Sequence, residues 1–565
     1  GIAQSGSVTD AFLHSGSRIG FSRVVGCGSE VILDTCDFLA YAIDDPETEA
    51  VILFLEGFKR PERFLALADR ALEVGKPIMV VKVGRSRQAQ AAAMAHSGSM
   101  AGEDRAIEAA LAAVGVIRCG DLDELLETAE LVAGCRRTGR RVGRGRLGVV
   151  TVSTGEASLI ADLAPRTGIR LPDVPESARS ALLEALPTLG YIGNPLDPWG
   201  ATDPPIAYGA AFGAFAESGA YDVLALVHDF PYRSLPGEVE TALSVMEPLL
   251  AATADRLDIL PVVVSLTSGE PTAEVVDRAR AAGGVPVLRG AVEAFTAIAA
   301  VGRWEARHEE RRAGEPLRAA WPPLAADRTL YGHEASASGH GSFGAGTAPT
   351  TSTALPELES LARVAVAGIP VVRVRAASTA DEAVVAADAI GYPVVVKIDV
   401  VGLAHKSDVG AVRVDLRDVA AVRAAAADLL GLRLPEGTRS RGLLVAPFLE
   451  GRQLILGARR DSSFGPLVLV GLGGIFAEAI DDVAVRLAPA SIADVEAMLD
   501  ALRGRRLLEP LRGQPGIDRA AVVDAIVRLG QLMIGSPEIA EIDINPLISG
   551  PAGTAAADAL VVETR

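Results

Sequence analysis

The sequence predicts an α/β protein: two flavodoxin-like doubly wound units followed by an α+β nucleotide-binding domain. Three observations predict it. Apolar residues make up 49% of the chain and aromatics only 4%, so Ala, Val, Leu and Gly must do the packing, as in parallel sheets covered by helices. Strand-like apolar runs alternate with helical stretches over the first part of the chain. Towards the C-terminus a lysine-ended strand, a glycine turn and an acidic strand follow in that order, which suits nucleotide binding.

The first unit opens on Gly1-Ile2-Ala3-Gln4-Ser5-Gly6-Ser7, a strand cut short and a Gly/Ser turn into a helix. A domain rarely begins inside its first strand, so a fragment or one product of a divided gene is expected. Strands are predicted at Ser22–Gly26, Ala50–Leu55, Pro77–Val83 and Val116–Cys119, with helices between them such as Pro61–Val74 and Leu122–Ala133. The basic, Gly-rich segment Arg136–Arg146 reads as a linker. A second unit of the same kind starts at Leu147–Ser153 and continues with strands at Asp222–His228, Leu260–Leu266 and Val285–Leu288. Its closing helix runs from Ala291 to about Arg307.

From Glu309 to Thr353 the pattern dissolves, and Ala335–Thr353 is nearly all Ala, Ser, Gly and Thr, a flexible linker. His333 and His340 are not expected to bind metal there. The remaining stretch has helices at Leu355–Ala367, Ser378–Ile390, Ile492–Leu502 and Ala520–Met533. Its strands are predicted at Ile369–Val374, Pro393–Ile398, Gly442–Pro447, Leu454–Arg459, Leu467–Gly471 and Ala540–Ile544. The expected domains are therefore residues 1–143, 144–307 and 354–565, with 308–353 as linker.

Composition narrows the function. The net charge of −18 argues against a nucleic-acid surface. No apolar run approaches the ~20 residues of a membrane span. Cys27, Cys36, Cys119 and Cys135 lack metal-ligand spacing and are too few for a disulfide framework. A cytoplasmic protein without membrane or nucleic-acid partners is expected.

Four stretches carry chemistry. His96, in Ala95-His96-Ser97-Gly98, follows the predicted strand Pro77–Val83, so it lies at a strand's carboxyl end where open α/β sheets place ligands. Its small neighbours leave room for an anion, which suits a histidine that carries a phosphoryl group, although an ordinary loop histidine fits those residues too. In Glu541–Asn545 the period of two puts Glu541, Asp543 and Asn545 on one strand face, three oxygen donors that resemble a Mg2+ site. Asp558 could complete it. Lys397 ends a buried strand and needs a partner, either a phosphate or a structural carboxylate. Gly471-Leu472-Gly473-Gly474 could bring backbone close to a phosphate or be a plain turn.

Together these residues resemble the NDP-forming acyl-CoA synthetases, the succinyl-CoA synthetase superfamily. Further matches are Ser5-Gly6 with Gly20-Phe21-Ser22, Asp45-Pro46-Glu47-Thr48, Leu55-Glu56-Gly57, Asn194-Pro195-Leu196-Asp197-Pro198, His405-Lys406-Ser407-Asp408-Val409-Gly410, Phe464-Gly465-Pro466 and Asp543-Ile544-Asn545-Pro546-Leu547. The resemblance covers the chain apart from the linker. It implies two succinyl-CoA synthetase-like flavodoxin domains and an ATP-grasp domain, and the conversion of a carboxylic acid, CoA and ATP into acyl-CoA, ADP and phosphate through an acyl phosphate and a phosphohistidine. It further implies His96 as the phosphorylated residue, Glu56 as the acid that steadies it, and His405 as a relay. Asp543 would lie near the arriving phosphohistidine, Lys397, Gly473 and Gly474 would hold nucleotide, and Asn545 and Asp558 would hold Mg2+. Ser5, Gly6, Ser7 and Gly155 would open the two helices that face phosphate. ATP, Mg2+ and CoA would be the cofactors and co-substrates, and a homo-oligomer, a dimer, is expected.

The chain also departs from that pattern. The family's N-terminal CoA-binding domain is not in this sequence, Ala411 stands for a glycine, Gln453 for a glutamate, and Leu560 for an arginine. Two alternatives therefore stay open: a degenerate protein of the same fold that senses acyl-CoA or nucleotide without turnover, and an ATP-grasp ligase that never uses His96.

Overall fold

A computed structural model describes residues 1–15, 18–86, 88–89, 104–233, 235–313, 352–401, 410–434, 439–474 and 482–564. The His96 loop, the His405 loop, the residues after Gly474 and the expected linker's residues 314–351 lie outside the described residues. The chain divides into two compact units, one of residues 1–104 and 111–324, the other of 105–110 and 325–565.

The first unit contains two parallel sheets. One comprises β1 (Ile2–Ala3), β2 (Val25–Gly26), β3 (Val51–Leu55), β4 (Ile78–Lys82) and β5 (Ile117–Cys119), in the order β2-β1-β3-β4-β5. Strands β3 and β4 are buried on both faces, which is why they read as continuous apolar runs rather than alternating ones. The reversal of order at β1 and β3 is the switch point at which such sheets open a crevice at their carboxyl edge.

The second sheet is β6 (Leu147–Thr151), β7 (Val223–His228), β8 (Leu260–Ser265) and β9 (Val287–Arg289), in sequential order. Beyond β6 the sheet is closed by two single parallel bridges, to Arg170 and Leu196, and by a side chain between them. The Asn194 amide accepts from Val149 N (2.9 Å) and donates to Leu147 O (2.8 Å) and Pro172 O (3.0 Å), standing in for a peptide group. The Asn194–Asp197 motif is thus explained first by the fold.

The segment Arg136–Arg146 is not a free linker. The helix Leu122–Thr138 continues to a left-handed Gly139 cap, because its last turn remains packed. Beyond it Arg140 donates to Thr253 O and Arg256 O (3.0 Å for the latter), and the Glu305 carboxylate accepts from Val142 N and Gly143 N at 3.2 and 2.7 Å. Likewise the helix from Ala291 runs on to Arg312 rather than ending near Arg307. Its last turns are fastened to the helix Pro61–Glu73: His308 contacts Leu72 O at 2.6 Å and Arg311 pairs with Asp69 at 3.0 Å. One apolar core consequently runs through residues of both sheets, from Ala3 and Met79 to Val262 and Phe295.

In the other unit, β11 (Arg375–Ala377), β12 (Val394–Val401), β13 (Val412–Leu416) and β14 (Arg439–Pro447) form an antiparallel sheet in the order β11-β14-β12-β13. A larger antiparallel sheet follows the path β10-β20-β18-β15-β16-β17, with β19 on β18. Its strands are β10 (Ser352–Ala354), β15 (Arg452–Asp461), β16 (Gly465–Leu472), β17 (Val483–Leu487), β18 (Ile539–Gly550), β19 (Gly553–Ala556) and β20 (Leu560–Thr564). Helices Glu357–Val366, Ile492–Ala501 and Arg519–Gly535 contribute Leu361, Met498 and Ile526 to the core on this sheet. The predicted strand Ile369–Val374 is reduced to one bridge, Val371 to Ala556, because Pro370 lacks the N–H that a ladder needs.

Candidate functional site

The carboxyl edge of the first sheet is tied together by two side chains. Gln4, just after β1, accepts from Glu56 N (2.5 Å) and Gly57 N (3.1 Å) through Oε1 and donates to Gly57 O (3.0 Å) through Nε2. Because two N–H groups must meet an oxygen, this network settles which end of the amide is which. Lys82, the last residue of β4, donates to Glu56 O at 2.9 Å and to Val83 O at 2.5 Å. Glu56 is half-buried on this rim.

Next to it, Ser5 caps the helix Gly6–His14, which has no side-chain cap and no acid in its first turn. Ser5 Oγ lies 3.1 Å from Ser7 Oγ, and Gly6 and Ser7 are exposed. Unpaired N–H groups at such an end favour an anion. Ser5, Gly6, Ser7 and Glu56 are therefore gathered on one rim, where Gln4 and Lys82 join them. Lys82 carries the signal that singles out Lys397, a lysine closing an apolar run, and it is Lys82 that ends its strand, since β12 continues past Lys397 to Val401.

The second sheet's equivalent helix, Thr154–Thr167, begins differently. Ser153 Oγ accepts from Glu156 N at 3.2 Å, while the Glu156 carboxylate takes the Thr151 hydroxyl and faces Val152 N at 3.4 Å. His228 Nδ1 lies 3.8 Å from Glu156 Oε1. Burial pushes the Glu156 carboxyl up, but the nearby His228 imidazole and the Thr151 hydroxyl outweigh it and hold the group below its ordinary range. Gly155 is exposed at this end beside a carboxylate of the chain itself. The two helix openings are thus electrostatically unlike.

In the C-terminal unit Lys397 is brought to Asp558: Nζ donates to Asp558 Oδ2 (3.2 Å) and to Ala557 O (3.0 Å). It also pairs with Glu357, from a helix of the same unit. Glu357 carries no motif signal that could have found it. On β18, Glu541 and Asn545 are exposed, Asp543 is half-buried, and Ile542 and Ile544 are buried, the alternation expected of that strand. Ala557 N donates to Pro546 O at 2.9 Å, which sets Asp558 beside the Asn545-Pro546 step.

Gly473 has a packing reason to be glycine: a Cβ there would meet the Gln453 carbonyl carbon at 2.8 Å. Gly474 has a φ of 90°, a conformation that side chains resist. The four cysteines do not supply a nucleophile, since burial pushes Cys27 up to about 11 and Cys36, Cys119 and Cys135 up to about 12. Among the described residues no helix is long and apolar enough to cross a membrane. Nor do three or more His, Cys, Asp or Glu residues there converge as a metal cage.

The first unit thus holds a doubly wound sheet with an uncapped helix end beside an acid, and the chain also carries an α+β unit of two antiparallel sheets; its named relatives include acid–thiol ligases that form ADP. The comparisons agree. A family model for the ATP-grasp domain matches residues 347–562, and one for the succinyl-CoA ligase like flavodoxin domain matches residues 2–132. The chain is 30% identical to the ADP-forming acetate–CoA ligase I of Archaeoglobus fulgidus over 99% of its own length and 76% of that protein. It is also 30% identical to a trans-feruloyl-CoA synthase from an unknown prokaryotic organism, covering 96% of this chain and 73% of the relative. A solved chain of Ca. Korarchaeum cryptofilum dinucleotide forming acetyl-coenzyme A synthetase 1 is 39% identical, covering 38% of this chain and 94% of that one, with a TM-score of 0.36. The chain belongs to the NDP-forming acyl-CoA synthetase family, which includes these ADP-forming acetate–CoA ligases.

Proposed function

We propose that the chain joins a carboxylic acid to CoA at the expense of ATP, releasing ADP and phosphate. In the first step an imidazole nitrogen of His405 attacks the γ-phosphorus, a P–N bond forms and the bond to ADP breaks; an imidazole nitrogen of His96 then takes the phosphoryl group, and the P–N bond to His405 breaks. The acid's carboxylate oxygen then takes the phosphoryl group, breaking P–N and giving an acyl phosphate. Finally the CoA thiolate attacks the acyl carbon, the C–O bond breaks, and phosphate leaves. The thiol proton passes to phosphate or solvent.

The observation that carries this reading is the rim Ser5–Gln4–Glu56–Lys82, where the side chains of Gln4, the residue before an open helix end, and of Lys82 hydrogen-bond the Glu56 main chain. There Glu56 would accept from one imidazole nitrogen and leave the other nucleophilic, and the N–H groups after Ser5 would receive the phosphoryl oxygens. Gly155 would open the opposing helix.

Lys397 would hold nucleotide phosphates, with Gly473 and Gly474 lining the nucleotide. Asp543 would face the arriving phosphohistidine, and His405 would relay the phosphoryl group. The donor set fits Mg2+: Asn545 on β18 and Asp558 between β19 and β20 carry hard oxygen atoms on neighbouring stretches of chain, and this ion uses one or two protein oxygens plus substrate phosphates rather than an all-protein cage. When bound, the ion would neutralise phosphate charge. CoA and the acid would be co-substrates, and short, branched and aromatic acids tested with CoA would define the substrate class. Incubation with γ-labelled ATP and Mg2+ tests the scheme. Acid-labile, base-stable label on the peptide that carries His96, lost from that peptide in His96→Ala, supports it, and a wild type that gains no label on that peptide refutes it.

A further inference from the structure

Lys82 is an expensive residue. Only 3% of it is exposed, and it ends a strand whose other positions are all apolar. Two of its three donors are spent on main-chain oxygens, Glu56 O and Val83 O. Among the described residues no carboxylate takes it in a salt bridge, unlike Lys397. The charged groups around it come from three directions: Glu56 after β3, Arg118 on β5, and Asp104 at the start of the helix Asp104–Ala113. Arg118 is itself paired with Asp104, so one cation there is already neutralised. Burial pushes the Lys82 ammonium down to about 8, Arg118 adds to that, and Asp104 and Glu56 oppose it.

A fold that needed only two hydrogen-bond donors here would not require a charge, because burying an ammonium costs stability. The position explains the charge better. Lys82 grips the turn whose other side is gripped by Gln4, and Gln4 leads directly into the open helix end at Ser5.

We propose that Lys82 is a positioning residue for Glu56: it holds the Glu56 main chain against β4, and its charge is coupled to an anion at the adjoining helix end. It acts through the turn and through its field, without touching reacting atoms. An arriving dianion raises the proton affinity of a buried amine nearby, so anion binding takes up protons where Lys82 is partly neutral. The proposal rests on the reading of this rim as the phosphoryl site.

The test is calorimetric titration of the whole chain with sulfate, a dianion that does not itself titrate near neutral pH. It is run at pH 8.5 in two buffers of different protonation enthalpy. Wild type is expected to take up as much as about half a proton per sulfate more than Lys82→Arg. Lys82→Arg keeps sulfate affinity, being always charged, and Lys82→Met loses about tenfold or more. Glu56→Gln retains the uptake, which separates the Lys82 titration from the acid. Equal uptake in wild type and Lys82→Arg overturns the coupling, as does unchanged affinity in Lys82→Met. Sulfate that fails to bind wild type removes the anion reading of the rim and this proposal with it. Binding without Lys82-dependent uptake sinks only the proposal.

Discussion

The Lys397 ammonium lies against the Glu357 carboxylate in the interior of the C-terminal unit, with 4% of each residue exposed. The helix Glu357–Val366 begins at this acid, and β12 carries the lysine. Asp558 and the Ala557 carbonyl complete the lysine's surroundings. A residue placed by sequence at the nucleotide is therefore also the residue that ties this helix to the sheet.

The pair predicts an asymmetric loss of stability. Lys397→Met leaves a buried carboxylate without its cation and should cost about 3–5 kcal/mol. The double variant Lys397→Met/Glu357→Gln should recover part of that. Urea unfolding of the three proteins measures it; a double variant no more stable than Lys397→Met would show that the pairing is not the origin of the cost.

Asn545→Ala and Asp558→Ala should each weaken Mg-ADP binding about tenfold or more while leaving the fold intact, as loss of one charged or oxygen ligand does. Titration calorimetry decides. Asp558→Ala should additionally lower stability, because it also removes a Lys397 partner. Wild-type affinity in both variants would take these residues away from the metal.

Glu56→Gln should leave phosphohistidine formation possible and shorten its lifetime by roughly tenfold, the worth of one charge-assisted hydrogen bond. The decay of isolated, labelled protein reads this directly. An unchanged decay rate would assign Glu56 to the turn alone.

Stability should rise with pH between about 8 and the 10.5 of a free lysine. Lys82 is depressed in the folded state, so across that window the unfolded chain binds more protons and the folded chain gains. Below pH 8 both states are charged and the term is constant. The whole contribution is roughly 3 kcal/mol at most, and Lys82→Met should flatten it. Urea midpoints at pH 7.5 and 10, compared between wild type and variant, isolate it from other titrations. Parallel midpoints would place the Lys82 titration elsewhere.

Gly473→Ala and Gly155→Ala should part company. The first drives a methyl into the Gln453 backbone and should cost about 1–3 kcal/mol. The second meets nothing closer than Ser153 Oγ at 3.5 Å and sits in a helix, so the fold should tolerate it. Thermal unfolding of both separates a packing glycine from one left for a ligand.

What was legible in the sequence is what depends on near neighbours. The apolar runs of β3, β4, β7 and β8 and the alternation of Glu541 to Asn545 needed only strand period and burial. Partnerships across long separations were not legible. Nothing local marks Glu305 as the anchor of Val142 and Gly143, or Glu357 as the mate of Lys397. For the same reason Arg136–Arg146 read as a linker: its charges looked solvated until their acceptors, Thr253 O and Arg256 O, were placed. Gln4 was in view from the start, but its function is carried by geometry, since the same glutamine on a surface would say nothing.

Gln4 stands in for a peptide group, and a primary amide ages in a way that a peptide group does not. Slow hydrolysis to glutamate would exchange its one donating end for an oxygen, set against the Gly57 carbonyl it now serves. It would also place a permanent negative charge within the turn that presents Glu56. The mass would change by about one dalton, and the sheet, carried mainly by apolar burial, would survive. Stored protein would thus keep its shape while the turn at Glu56 changed its charge, and the damage would be visible in the isotope pattern of the peptide that carries Gln4.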